Sequence, residues 1–566
     1  MNLRAGPLSL RFDEGGLRYI RLGDREAVRR VYCAVRDANW GTVPDKISNL
    51  NVDAREDSFR IEFDVENRQG EIDFVWHGTI VGEASGRIVF EMDGLAKSSF
   101  HKNRIGFCVL HPMDCAGAAV QIEHADGSME RTQFPRYIAP GNPFLNVVKM
   151  RHAAAPGVDV ELKFEGDVFE TEDQRNWLDA SFKTFCTPLS RAFPVLVRAG
   201  ERITQRVTLQ LHGKPANLTA AHADDDEITL TVADQPVGPL PRIGFSIPGA
   251  EIIGTYPISD RQIRLLRMLR PRHLRCELHL LKEFEQTLER AAQTAAELET
   301  ALEAALFMDD LPNCELQWVI GAVARLRPPI ARWVVFPERG WATTRGMANV
   351  AVPQLRKHDP NIPVGGGSPA YFTELNRNRP PVELLDFVAW SQQPQVHAID
   401  EASIVETLAA HTHAVESARQ FCGGLPLVVG PMTLKARVNP YATGPWPPPL
   451  APGELPPQFD PRQITTFAAG WTLGSIKYLA EAGVQAATYY ELFGPQGVME
   501  PDDLHVAQLR LGPSVEASRP YCVFPMFHVF ADLAELRDAQ VFPVQSSEPL
   551  CVEALALGEC LLIANL

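Results

Sequence analysis

At 566 residues, and with roughly 100 to 200 residues per domain, the chain has room for about three domains, one of which can be a large barrel. Its 70 acidic side chains outnumber 54 basic ones, and the net charge of -16 argues against nucleic acid or an anionic membrane as main partner, so a small polar or neutral ligand is expected. Hydrophobic content of 45% beside 22% charged residues excludes disordered and fibrous classes. No apolar run reaches the ~18 residues that span a bilayer, and Met1-Asn2-Leu3-Arg4 lacks the apolar core of a secretory signal. The ten cysteines are scattered singly with no C-x-x-C pair, which reads as free thiols in a reducing cytoplasm.

From Leu8 to about Leu211, short alternating or β-branched runs are separated by turn signals. Phe59 to Phe63, Ile72 to Trp76, Arg87 to Met92 and Val160 to Phe164 are examples. Period-two alternation predicts antiparallel sheets with one wet face, hence an N-terminal β-sandwich over residues 1–213. A connector follows at 214–240, with Lys214-Pro215, the acidic stretch Asp224 to Glu227, three prolines and one strand, Ile228 to Val232. After Pro241 strands alternate with helices, the signature of parallel βα units. Candidate strands are Ile243 to Ile247, Leu274 to Leu280, Leu316 to Ile320, Trp333 to Phe336, Ala370 to Thr373, Phe387 to Trp390, Leu427 to Val429 and Ala486 to Tyr490. Eight strands predict a closed (β/α)8 TIM barrel over 241–537, with Leu316 to Ile320 the weakest member. Helices are predicted over Lys282 to Met308, Ala402 to Phe421 and Ile464 to Ala482. The stretch Pro440 to Pro461 holds nine prolines and reads as a long loop, either a lid or a solvated excursion. Beyond the last helix, Tyr521 to Leu536, three short strands over 538–566 complete the sandwich or form a small C-terminal β-domain. The chain stops inside the apolar segment Leu561 to Leu566, which raises the expectation that the natural C-terminus extends further.

Active sites of this architecture gather at the C-terminal ends of barrel strands, so polar residues there carry most weight. Glu338 follows strand four; Glu374, Asn376 and Arg377 follow strand five; Gln392 and His397 follow strand six; Tyr490 and Glu491 end strand eight. Glu374 and Glu491 form the candidate catalytic pair, since a carboxylate after an apolar segment is either in the cleft or expensively buried, and two acids in a cleft can divide into an acid and a base. The structural alternative is ion pairing with Arg339 or Arg377. His397, with Asp400 and Glu401 following, suits a relay, a substrate clamp or a metal ligand, although the spacing matches no strong ligand signature, and neither metal nor cofactor is expected. Asp400 suits the N-cap of the next helix. Glu277, His279 and Arg437 are weaker candidates of the same kind. Gly365-Gly366-Gly367-Ser368 lacks the lysine of a phosphate loop and reads as a bend entering strand five. There is no G-x-S-x-G and no H-E-x-x-H, which disfavours the common serine hydrolase.

Several separated strings, in order, resemble the D-apionate lactonase family: Glu172 to Phe185, Tyr371-Phe372-Thr373-Glu374-Leu375-Asn376-Arg377, Gln395-Val396-His397-Ala398 and Tyr490-Glu491-Leu492-Phe493-Gly494. The resemblance implies a β-domain, a barrel and a C-terminal β-domain, and hydrolysis of D-apionolactone to D-apionate in bacterial catabolism of the branched pentose apiose. The expected partner is thus a small sugar lactone; the oligomeric state stays open. Ring opening needs an attacking water, a stabilised oxyanion and a proton for the departing ring oxygen. The expected roles are Glu374 as base and Glu491 as acid, or the reverse, with Glu338, Asn376, Arg377, Gln392, His397 and Tyr490 contacting substrate. The alternatives are a retaining glycoside hydrolase using the same two glutamates, and a non-catalytic sugar-binding protein with Trp341, Trp390 or Tyr490 as an aromatic platform.

Overall fold

A computed structural model describes residues 1–213, 227–249, 258–282, 284–309, 313–442, 446–447, 456–502 and 522–566. Lys214-Pro215 and Asp224 to Asp226 of the expected connector, half of the proline-rich stretch, and Tyr521 lie outside the described residues. The chain falls into two compact units, one comprising Met1–Arg175 and the stretch from Ala180, the other Asn176–Asp179 and the stretch from Glu227 to Leu566.

The first unit is all-β, as expected, with seventeen strands joined in one antiparallel assembly. Phe59–Gln69 and Ile72–Gly82 form a hairpin pairing Gln69 with Ile72, and their exposure alternates residue by residue. The turn between them places Gly70 at φ 58°, a left-handed conformation that costs glycine little. Inward side chains merge into one core in which Phe63, Trp76, Phe90 and Phe107 meet edge to face at 4.8 to 6.2 Å. A buried polar chain lies in the same unit. His111 is within 3.3 Å of His152 and 2.9 Å of the Thr184 hydroxyl, and burial pushes both imidazoles down, His152 to about 4.

In the second unit eight parallel strands close a barrel in chain order: Arg242–Ser246, Leu274–His279, Leu302–Met308, Ile330–Pro337, Val364–Ser368, Val388–Gln392, Leu427–Met432 and Ala486–Glu491. Closure is made by pairing Arg242 with Ala486 through Phe245 with Tyr489. Ala305, Phe307, Val334, Phe336, Phe387, Ala389, Val428 and Ala486 pack as one cluster. Below the mouth, Glu303 joins Arg275 at 2.9 Å and Arg332 at 2.5 Å, a buried ionic layer between strands two, three and four.

Two expected strands are corrected. Leu316 to Ile320 belongs to the helix Asn313–Leu326, and the third strand is Leu302–Met308, inside the span Lys282 to Met308 expected to be helical. That helix ends at Glu297. Leu302–Met308 is buried at every position, so it shows no alternation, and its alanine, glutamate and leucine content favours helix until tertiary burial overrides it. The fifth strand is Val364–Ser368, not Ala370 to Thr373. The triple glycine is therefore not a bend at a strand entrance but the strand itself. A Cβ on Gly365 would lie 2.3 Å from the Phe387 ring, and one on Gly367, at φ 147°, 2.0 Å from the Ala389 carbonyl oxygen. Phe372–Arg377 is consequently a helix, so Glu374 sits in its first turn rather than at a strand end.

The other helices fall close to expectation. The predicted helix over Ala402 to Phe421 is Glu401–Glu406 and Ala410–Arg419, joined by a 3-10 turn, and Thr466–Glu481 and Pro525–Glu535 match their predictions. The connector and the chain end form β-structure of their own. Gly238–Pro239, Gln540–Phe542, Val552–Leu557 and Cys560–Asn565 make a four-stranded sheet, and Leu230–Val232 pairs with Val544–Ser546. Lys477 on the last long helix meets Glu553 of that sheet at 3.2 Å.

Candidate active site

The eighth strand does not run straight to its end. Phe245 pairs with Tyr489 but the next pair is Ser246 with Glu491, so Tyr490 is an extra residue, at φ 36°. A bulge of this kind turns consecutive side chains to new directions. The Tyr490 hydroxyl meets that of Thr472 at 2.8 Å on the helix Thr466–Glu481, and Glu491 lines a cavity of about 500 Å3 at the barrel mouth. That volume suits a small ligand.

Arg275, Glu277, His279, Thr433 and Arg437 share the cavity wall with Glu491. Glu277 ends between two arginines, 3.2 Å from Arg275 and 2.7 Å from Arg437. Burial pushes its carboxyl up, but Arg437 and Arg275 outweigh burial and hold it at about 2. Arg437 is affected in the converse sense: burial lowers it, while Glu277 and, more weakly, Tyr371 and Glu491 raise it. A fixed cation thus stands among carboxylates at the wall. His279, at the end of strand two, bonds through Nδ1 to Glu338 at the end of strand four at 2.8 Å and stacks on Phe307 at 4.5 Å.

Across the mouth, on the side of strands five and six, the arrangement differs. Glu374 is 4% exposed; it accepts from the Tyr371 backbone N–H at 3.2 Å and from the Tyr441 hydroxyl at 3.0 Å. Burial raises its carboxyl, and the Tyr441 bond only partly offsets this. Arg377 donates to the same Tyr441 hydroxyl at 2.8 Å. Asn376 donates to Asn176 Oδ1 at 3.1 Å, and the Thr373 hydroxyl donates to the Asn176 carbonyl at 2.6 Å. His397 pairs with Asp179 at 2.7 Å, and Trp177 meets both His397 and Arg377 with its ring at 5.3 and 5.2 Å. The short segment Asn176–Asp179 is therefore part of the barrel mouth.

Among the described residues, the cavity wall carries Glu491 but not Glu374. Tyr371 lies within electrostatic reach of both Arg437 and Glu374, and Arg437 within reach of Glu491. Gln392 is buried with its carbonyl oxygen 2.9 Å from His411 Nδ1 in the helix layer, and Trp390 is likewise sealed in packing, whereas Tyr490, although 1% exposed, borders the cavity beside Glu491 with its hydroxyl turned to Thr472. Asp400 caps its helix, accepting from the Ser403 N–H at 3.0 Å. Sequence reasoning missed Arg275, Tyr371, Tyr441, Asn176, Trp177 and Asp179. Trp177 and Asp179 sit inside the first string that carried the family resemblance, but their barrel partners are 200 or more residues away, 218 for Asp179 and His397. Among the described residues no group of three or more His, Cys, Asp or Glu side chains is placed to hold a metal ion, and no helix is long and apolar enough to cross a membrane.

Residues 1–214 match the family model for the D-apionate lactonase N-terminal domain, and residues 255–538 match that for the D-apionate lactonase TIM barrel domain. A D-apionate lactonase of Brucella anthropi is 32% identical over 511 residues, covering 88% of this chain and 83% of that protein. Among solved structures, a family 51 α-L-arabinofuranosidase from Bifidobacterium longum is 14% identical with a TM-score of 0.38, over 58% of this chain and 79% of that one. A Ruminococcus gnavus β-glucuronidase is 10% identical with a TM-score of 0.33, over 87% and 69%. Those two likenesses are too distant to say anything of chemistry. The two matched domains and the extended identity do: the chain belongs to the D-apionate lactonase family and is, by that membership, a lactonase.

Proposed function

We propose that this lactonase opens D-apionolactone to D-apionate, as in bacterial catabolism of apiose, with Glu491 as general base at the barrel mouth. The observation that carries the assignment is the shared cavity wall, where the Glu491 carboxylate stands near a cation, Arg437, that Glu277 holds in place. Glu491 takes a proton from water as the water oxygen attacks the lactone carbonyl carbon, and Arg437 donates toward the oxyanion that develops there. The arginine carries its charge at all working pH values, and its anchored position avoids reorganisation during the reaction. Glu374 acts differently from the expected catalytic partner: it ties Tyr441, and with it the start of the proline-rich stretch, to the helix Phe372–Arg377. Asn376, Arg377 and His397 support the same wall through Asn176, Trp177 and Asp179. We place the reaction in the cytoplasm; support comes from ten free thiols, six of them buried, as suits a reducing compartment.

Acid release from a panel of aldonolactones, with and without chelator, tests the reading. Glu491→Gln should lower kcat by about 10² or more, the scale of a positioned base, while the variant melts like the parent. Near-normal turnover by that variant removes Glu491 from the mechanism, and turnover of nitrophenyl glycosides in place of lactones returns the glycosidase alternative.

A further inference from the structure

Opening a lactone leaves an alkoxide on the sugar, a poor leaving group unless it is protonated as the bond breaks. The reading of Glu491 as base therefore requires a proton donor on the same wall. Arg275, Arg290 and Arg437 keep their protons. Glu277, held by two arginines, is a carboxylate with none to give. Lys282 is 69% exposed at the rim. Cys276 is sealed at 1% exposure, and the Tyr490 hydroxyl is turned to Thr472. His279 remains.

We infer that His279, oriented by Glu338, is the general acid that protonates the departing ring oxygen. Strands two, three and four converge on it. Its Nδ1 is bound to Glu338 Oε2 at 2.8 Å, and its ring lies on Phe307 with an interplanar angle of 21°. Among the described residues Nε2 has no hydrogen-bond partner, and the side chain is 35% exposed on a wall it shares with Glu491. A carboxylate on one ring nitrogen fixes the ring's orientation, leaving the other nitrogen for substrate. Glu338 touches no reacting atom in this scheme; it positions the ring, with Lys282 3.7 Å from its other oxygen.

The step balances as follows. The water oxygen bonds to the carbonyl carbon and one water proton passes to Glu491. The carbon–ring oxygen bond then breaks, its electron pair stays on the ring oxygen, and that oxygen takes the Nε2 proton of the imidazolium. Glu491 releases its proton, His279 regains one, and the new carboxylic acid ionises, so one proton is released per turnover. This inference rests on the reading of Glu491 as base.

Its test uses the full-length enzyme and D-apionolactone. His279→Ala and His279→Gln should each lower kcat by about 10² or more, with KM changed less than about threefold. Imidazole in solution should restore His279→Ala at least tenfold, since it can occupy the vacated space and donate a proton, but should not restore Glu491→Gln. Glu338→Gln should lose about tenfold in kcat, because the ring is retained but its orientation is loosened. If the His279 variants turn over like the parent while Glu491→Gln is inactive, this inference fails and the base assignment stands. If His279→Ala is inactive and imidazole does not restore it, the inference also fails. If the parent opens no aldonolactone, the underlying reading falls as well.

Discussion

A carboxyl group takes its chemistry from its neighbours, and Glu374 and Glu491 have different ones. Burial raises Glu374 and two hydrogen bonds occupy its oxygens, whereas Glu491 is part of the cavity wall and within electrostatic reach of Arg437. Glu374→Gln should therefore cost less than about tenfold in kcat, well below the 10² expected of a positioned acid or base, and steady-state kinetics on the lactone will show it. A loss as large as that of Glu491→Gln would restore the two-carboxylate mechanism. Glu277→Gln provides a second check. It removes the partner that holds Arg437, so both kcat and KM should worsen, and activity should not recover with salt because the displaced group is a fixed side chain, not a screened surface charge. Most of these residues were visible in the sequence as polar groups after apolar runs. Which of them share a wall was not, because the bulge at Tyr490 and the turn after the glycines redirect side chains by an amount no local pattern records.

At the scale of elements, strand five decides the geometry of one side of the mouth. Three consecutive glycines are poor strand formers in isolation, so local propensity favours Ala370 to Thr373 as the strand. They are required here by close approach: side chains of Thr343 and Phe387 and the Ala389 backbone occupy the places their Cβ atoms would take. Gly367→Ala should cost at least about 2 kcal/mol, through steric overlap and an unfavourable φ, read as a lower urea midpoint. An unchanged midpoint would mean that the strand yields locally. Strand three teaches the complementary lesson. Its uniform burial removes the alternation that marks a strand, so composition alone favoured helix, and only the neighbouring strands that hydrogen-bond to it on either side, Leu274–His279 and Ile330–Pro337, select the extended form.

For the whole molecule, both units bury neutral histidines: His111 and His152 in the first, His273 and His411 in the second. Burial pushes all four down, His152 to about 4 and His273 and His411 to about 3. A histidine whose folded value is depressed binds fewer protons folded than unfolded, so its effect is nil above the unfolded value of about 6.5 and destabilising as pH falls below it. Glu277 and Glu303, both held at about 2, add stability above about 4.5 that is lost toward pH 2. Glu374 and Asp173, raised by burial, pull the other way. Stability to urea should accordingly be level from pH 8 to about 6.5 and fall steadily below it; His152 alone contributes about 3 kcal/mol to the fall by pH 4. A stability curve flat down to pH 4.5 would contradict this.

Alternation through Leu211 and the change to βα units after Pro241 were enough to read an all-β unit and a barrel with six of its eight strands in place, because burial on one face leaves a periodic trace along the chain, while the family strings carried the resemblance to a lactonase. The tertiary structure alone decided that Glu491 stands with Arg437, Glu277 and His279, that Glu374 is drawn under Tyr441, and that Asn176–Asp179 joins the mouth. Those meetings join residues as far apart as the 218 positions between Asp179 and His397, and hydrogen bonds of that kind exist only once the ring of strands has closed.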